Sequence, residues 1–187
     1  MTNKEFPHFM GKQNSKGEVI LTELQRYILT LANKIVEILK DSYKERLTSV
    51  CLFGSSVRGT LRDGSDIDLL VVIKEVKMSY HKRIKEIIPL LDDIRALQEY
   101  EEVEKFKLHI EPCFLVFTAD EIKDHPPILL DISQEGIILF DKENFLRKQL
   151  TQVKEALVQL GSSKKITPHG HYWMLKPDIK PGEIIKI

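Results

Sequence analysis

Leu52-Phe53-Gly54-Ser55-Ser56-Val57-Arg58-Gly59-Thr60-Leu61-Arg62-Asp63-Gly64-Ser65-Asp66-Ile67-Asp68-Leu69-Leu70-Val71-Val72 joins two apolar arms through a polar centre. Its second half reads as a strand, Ser65 to Ile73, whose continuation from Leu69 is wholly apolar. Period-2 geometry sets Asp66 and Asp68 on one face and Ile67 and Leu69 on the other. Two carboxylates so close at the end of a buried strand repel each other and are costly to desolvate, so a cation should neutralise them. Hard oxygen ligands suit Mg²⁺, which completes its shell with phosphate oxygens and water. The first half supplies a place for such phosphates. Gly54 ends a strand and permits a tight turn, and Ser55 and Ser56 offer hydroxyl and amide donors. If residues 55 to 60 form a helical turn, its amino end points at the same spot, and Arg58, one turn after Ser55, can reach a phosphate oxygen. A Gly-Ser turn or an Asp-x-Asp pair alone carries little information. Their conjunction at fixed offsets between apolar strands is a geometry for phosphoryl or nucleotidyl transfer.

Around this segment, 187 residues make one domain with room for a full core. With 42% hydrophobic and 30% charged residues, whole-chain disorder and fibrous repeats are excluded. Lys+Arg and Asp+Glu number 28 each, a balance that argues against nucleic acid held by bulk electrostatics. The longest apolar run, Leu69 to Ile73, falls far short of a membrane span, and the first residues show no secretory pattern. Cys51 and Cys113 each lie in a strand-like run and read as structural thiols of a cytoplasmic protein.

Residues 1–18 are polar and read as a loosely held arm, 19–161 as the domain, and 162–187 as a Pro- and Lys-rich tail packed on it. Helical spacing of Leu24, Tyr27, Ile28, Leu31, Ile35, Ile38 and Leu39 predicts a long amphipathic helix started near Thr22. Strands are expected at Ser49–Phe53, Ser65–Ile73, Lys107–Phe117 and Ile137–Phe140. Tyr80–Leu97 reads as a helix that Pro89 kinks or breaks, followed by an exposed loop at Tyr100–Glu104. Further helices are expected near Ala119, after Pro126-Pro127, and from Asn144 to Leu160. Helices interleaved with four strands give an α/β (α+β) class, a small mixed sheet flanked by helices, with the metal site at one edge.

Phe53-Gly54-Ser55, Arg58-Gly59 and Ser65-Asp66-Ile67-Asp68-Leu69 resemble the signature of the DNA polymerase β-type nucleotidyltransferase superfamily. More narrowly, the chain is similar to the minimal, antitoxin-type nucleotidyltransferases, over most of residues 20 to 160. The resemblance implies that Gly54, Ser55, Ser56, Arg58 and Ser65 hold the triphosphate and that Asp66 and Asp68 bind two Mg²⁺ ions. It also implies a third carboxylate on the next strand, which points to Glu111 as a metal-binding and catalytic residue. The family usually carries Asp there, and Pro112 beside it removes a ladder donor. In-line attack of an acceptor hydroxyl at the α-phosphorus would then expel pyrophosphate.

The implied function is Mg²⁺-dependent transfer of a nucleoside monophosphate, AMP from ATP above all, to a hydroxyl. One implied acceptor is a tyrosine of a HEPN-type helical toxin, which would be a separate polypeptide since no such helical domain is legible here. Small-molecule (antibiotic-type) nucleotidylation and a non-catalytic nucleotide-binding module are the alternatives. RNA end addition fits poorly, because the similar enzymes that do it carry large extra RNA-binding domains. His169 and His171 lack a third ligand for zinc. Trp173, the only tryptophan, reads as the anchor of the tail, with base stacking as its alternative role. His109 reads as a core-edge histidine, with a substrate contact on the face of Glu111 as its alternative role.

Overall fold

A computed structural model describes residues 12–13, 19–20, 22–74, 77–167, 170–180, 182–185 and 187. Two short strands, β1 (Lys12–Gln13) and β2 (Val19–Ile20), pair antiparallel. The rest of the expected arm, 1–18, lies outside the described residues.

Helix α1 (Glu23–Tyr43) is started by Thr22, whose hydroxyl accepts from the Gln25 amide at 3.2 Å. The Gln25 side chain in turn accepts from the Thr22 amide at 2.9 Å, so both free donors are satisfied. Its stripe Ile28, Leu31, Ala32, Ile35 and Leu39 is buried. A 3-10 turn leads into β3 (Leu47–Phe53), then α2 (Ser55–Arg58) and β4 (Asp66–Ile73). Helices α3 (Tyr80–Ile87), α4 (Leu90–Arg95) and α5 (Gln98–Glu104) form the crossover to β5 (Glu111–Thr118). Pro89 lies between α3 and α4, so the break expected from the missing amide is realised. Next come α6 (Ala119–Lys123), α7 (Ile128–Glu135), β6 (Ile137–Asp141) and α8 (Phe145–Gln159). A hairpin, β7 (Ser163–Thr167) and β8 (Gly170–Met174), follows.

The main sheet has the order β5-β4-β3-β6. β4 pairs antiparallel with β3 and parallel with β5, so the sheet is mixed. Alternation along the strands divides the core in two. Val50, Leu52, Leu69, Val71 and Ile73 face α1 and the crossover helices, where they meet Ile35, Leu39, Ile94 and Val103. Cys51, Phe53, Leu70 and Val72 face α6, α7 and α8, against Ile122, Leu129, Ile132, Leu150 and Val153. Among the described residues no helix is long and apolar enough to cross a membrane.

Several sequence expectations need correction. Tyr100–Glu104 is not a loop but most of α5, because Tyr100 and Val103 bury one flank of it. β5 starts at Glu111 rather than Lys107, after a positive φ at Lys107. The tail carries a hairpin, and β4 is an inner strand, so the acid pair sits at strand ends rather than a sheet edge. His109 is exposed, with its amide and ring Nδ1 2.8 and 3.0 Å from Asp63 Oδ1.

Candidate active site

Asp66 and Asp68 open β4 on the same face as Leu70 and Val72. They therefore project toward the α7 side of the sheet, where β3 ends and α2 begins. Phe53 is the register partner of Asp68, so Gly54 turns away directly beside that carboxylate. Gly54 has φ +75°, and a Cβ added there would lie 2.0 Å from Asp68 Oδ2. Only a residue without a side chain tolerates both conditions. The expected helical turn is present, with Arg58 N bonded to Gly54 O at 3.2 Å.

The donors divide by role. Ser56 is fully buried and its hydroxyl donates to Phe53 O at 2.9 Å, which fixes the turn. Ser55, ahead of it, is only partly buried. Ser65 Oγ accepts from the Arg62 amide at 2.9 Å and so closes the loop that delivers β4. The Arg58 guanidinium donates to the carboxylate of Glu135, a buried acid at the end of α7.

Burial, and then the Asp66 charge, push the Asp68 carboxyl up to about 6, against a counter-pull from Arg58. Burial penalises the charged form, and a second carboxylate two positions away adds to that penalty. Ligand atoms of Asp66, Asp68 and Cys113 lie within 4.8 Å of one another. Cys113 is the register partner of Asp68, and burial, followed by the two aspartates, pushes its thiol upward. Glu111 is the register partner of Asp66, yet its carboxylate accepts from Arg95 Nη2 at 2.9 Å. The structure thus brings Asp66 and Asp68 together with Cys113 and holds Glu111 on an exposed ion pair with α4. Pro112, an apparent obstacle, is accommodated because β5 is an edge strand. Two converging carboxylates are oxygen donors of the kind that fits a hard divalent cation.

Cys113 could have been read from the sequence, being two residues after Glu111 and therefore on its face. Glu135 and Arg95 gave no such signal, since each is one of two or three charged residues in a short helix.

The model of the nucleotidyltransferase domain family matches residues 32–158, more than two thirds of the chain. The chain belongs to this family. It is a nucleotidyltransferase, and its mixed sheet between helices is the family fold. A candidate protein adenylyltransferase of Methanocaldococcus jannaschii, MJ1305, is 23% identical over 139 residues, 73% of this chain and 87% of that one. A spectinomycin 9-adenylyltransferase of Enterococcus faecalis is 27% identical over 155 residues, 81% of this chain and 59% of that one. Among solved structures, a chain from a toxin–antitoxin complex crystallised with AMP-PNP shows 17% identity and a TM-score of 0.43. The match covers 70% of this chain and 92% of that chain.

Proposed function

We propose that this nucleotidyltransferase transfers AMP from ATP to a hydroxyl of a protein acceptor. The observation that carries the reading is the Gly54–Asp68 junction, which sets the Gly-Ser turn directly against the carboxylate of the Asp66–Asp68 pair. Asp66 and Asp68 would hold Mg²⁺, with Glu111 as the third carboxylate once it leaves Arg95. The ions would supply charge stabilisation at the triphosphate and lower the pKa of the acceptor hydroxyl. The chain's own part is positioning. The Ser55 amide and the Arg58 guanidinium face the developing negative charge, Gly54 lets the phosphates approach the backbone, and Ser65 fixes the entry of β4. A tyrosine on a separate HEPN-type helical protein is the acceptor implied by the resemblance of the motif, and the similarity to a candidate protein adenylyltransferase agrees with a protein target.

A second reading, transfer to an antibiotic-type small molecule, is favoured by the similarity to the spectinomycin enzyme. One assay separates the two. Purified protein is incubated with α-phosphate-labelled nucleoside triphosphates, Mg²⁺ and lysate of the source organism, with Asp66→Ala/Asp68→Ala as control. Label from ATP in a protein band, absent in the control, is expected. Label confined to small molecules would replace the protein acceptor by the second reading. No label anywhere would overturn both.

A further inference from the structure

Glu135 is an unusual residue for its place. It ends α7 with only 4% of its surface exposed, in a helix whose other buried positions are Leu129, Ile132 and Ser133. Enclosing a carboxylate is costly unless charged or hydrogen-bonding partners meet it. Two approach it from different parts of the chain. Arg58, from the turn after Gly54, donates to its Oε1, and Lys164, from β7, stands 3.9 Å from its Oε2. Lys164 is also 2.8 Å from Asp131 Oδ1, one helical turn earlier. The same Asp131 accepts from Trp173 Nε1 at 3.0 Å and lies 3.0 Å from His171 Nε2. A continuous set of polar contacts therefore runs from the hairpin, through Glu135, to Arg58.

The consequence for Arg58 is geometric. A guanidinium has five donors in a rigid plane, and Glu135 is bonded to one end of it. The remaining donors take no part in that bond, and the guanidinium charge acts on Asp68 of the acid pair. An untethered arginine would lose its side-chain entropy each time a nucleotide bound, whereas a tethered one has lost it already.

We propose that Glu135 is a positioning residue for the nucleotide site, fixing the Arg58 guanidinium, and that the β7–β8 hairpin, through Lys164, is the second clamp on the same carboxylate. Docking of the hairpin then sets nucleotide affinity, although neither strand carries a residue of the motif. This rests on the reading of the Gly54–Asp68 segment as the nucleotide site.

The test is equilibrium binding of ATP with Mg²⁺ to the full chain, beside thermal melting of each variant. Arg58→Ala is expected to weaken binding about tenfold, the scale of one charge-assisted hydrogen bond. Glu135→Gln should weaken it by a similar factor, and the double variant no further than Arg58→Ala alone. Lys164→Met should weaken it roughly two- to fourfold, an effect that disappears in the Arg58→Ala background. In the transfer assay Glu135→Gln should raise KM for ATP more than it lowers kcat. A folded Glu135→Gln that binds ATP like the wild type, or losses that multiply in the double variant, would overturn the proposal. Should Glu135→Gln not fold, Lys164→Met decides by the same two criteria. A wild-type chain that binds no ATP would instead overturn the nucleotide-site reading.

Discussion

Gly54 and Asp68 are so close that a single methyl carbon would not fit between them, the built Cβ falling 2.0 Å from Oδ2 at a backbone φ of +75°. Gly54→Ala must therefore displace the carboxylate or unwind the turn. The strained backbone alone costs about 1–3 kcal/mol. Displacement of the turn by about an ångström costs about a hundredfold in transfer rate. Thermal melting and the labelled-ATP assay read the two effects separately. A variant with normal transfer would remove the turn from the site.

The acid pair also makes a statement about stability. In the folded chain Asp68 keeps its proton up to about pH 6. In the unfolded chain an aspartate releases it near pH ~4. Between these values the folded state binds more protons, so the contribution is fully favourable below about pH 4 and is lost as pH rises toward 6. Discounted for solvent screening of a carboxyl that is only about half buried, the loss is on the order of 1 kcal/mol. Metal-free Asp68→Asn should accordingly melt higher than the wild type at pH 7.5, and the advantage should shrink to nothing below about pH 4. Added Mg²⁺ should raise the wild-type melting temperature and leave the variant unmoved. A variant less stable than the wild type at pH 7.5 would show that burial and the Asp66 charge do not set the cost of ionised Asp68.

Glu111 and Arg95 give a third test. Their ion pair is exposed at both ends, and such pairs are weakly held. If Glu111 leaves Arg95 to join the metal site, Arg95→Met should lower the half-saturating Mg²⁺ concentration for transfer, and Glu111→Gln should slow transfer roughly 10- to 100-fold. Unchanged activity in Glu111→Gln would remove Glu111 from the metal site and leave Asp66 and Asp68 as its carboxylates.

Trp173 reports on the hairpin. Asp131 is its hydrogen-bond acceptor and also that of Lys164 and His171. Burial draws the Asp131 carboxyl upward, yet these three partners together hold it below the usual range. Asp131→Ala removes all three contacts and should cost about 1–3 kcal/mol of local stability. Trp173 is the only tryptophan, so a red shift and stronger acrylamide quenching of its emission would follow directly. An unchanged spectrum would mean that Leu175 and the apolar packing of the indole hold the hairpin without Asp131.

Much of this arrangement was legible in the sequence, for physical reasons. The two strands around Gly54 and Asp66 are buried on both faces, and their apolar runs leave no other reading. α1 has 21 residues of regular spacing and a capping residue, and Pro89 breaks the next helix as its missing donor dictates. α5 was hidden because its two buried residues, Tyr100 and Val103, span one turn, too short for a period to show among four glutamates. The β7–β8 hairpin was hidden because its strands, Ser-Lys-Lys-Ile-Thr and Gly-His-Tyr-Trp-Met, do not alternate and bury almost nothing. Within the site, local spacing revealed Gly54, Asp66 and Asp68. The contacts of Arg58 with Glu135 and of Glu111 with Arg95 bridge 77 and 16 positions, and no local pattern records them.

The crossover between β4 and β5 sets an order of assembly. β3, the Gly54 turn and β4 are neighbours in sequence and can pair as soon as that stretch leaves the ribosome. β5 must wait for three helices and closes against β4 only when Thr118 has been made. Glu135 and Lys164 arrive later still. A half-synthesised chain would thus own the two aspartates without the side chains that surround them, and Arg58 would meet Glu135 only after α7 has been made.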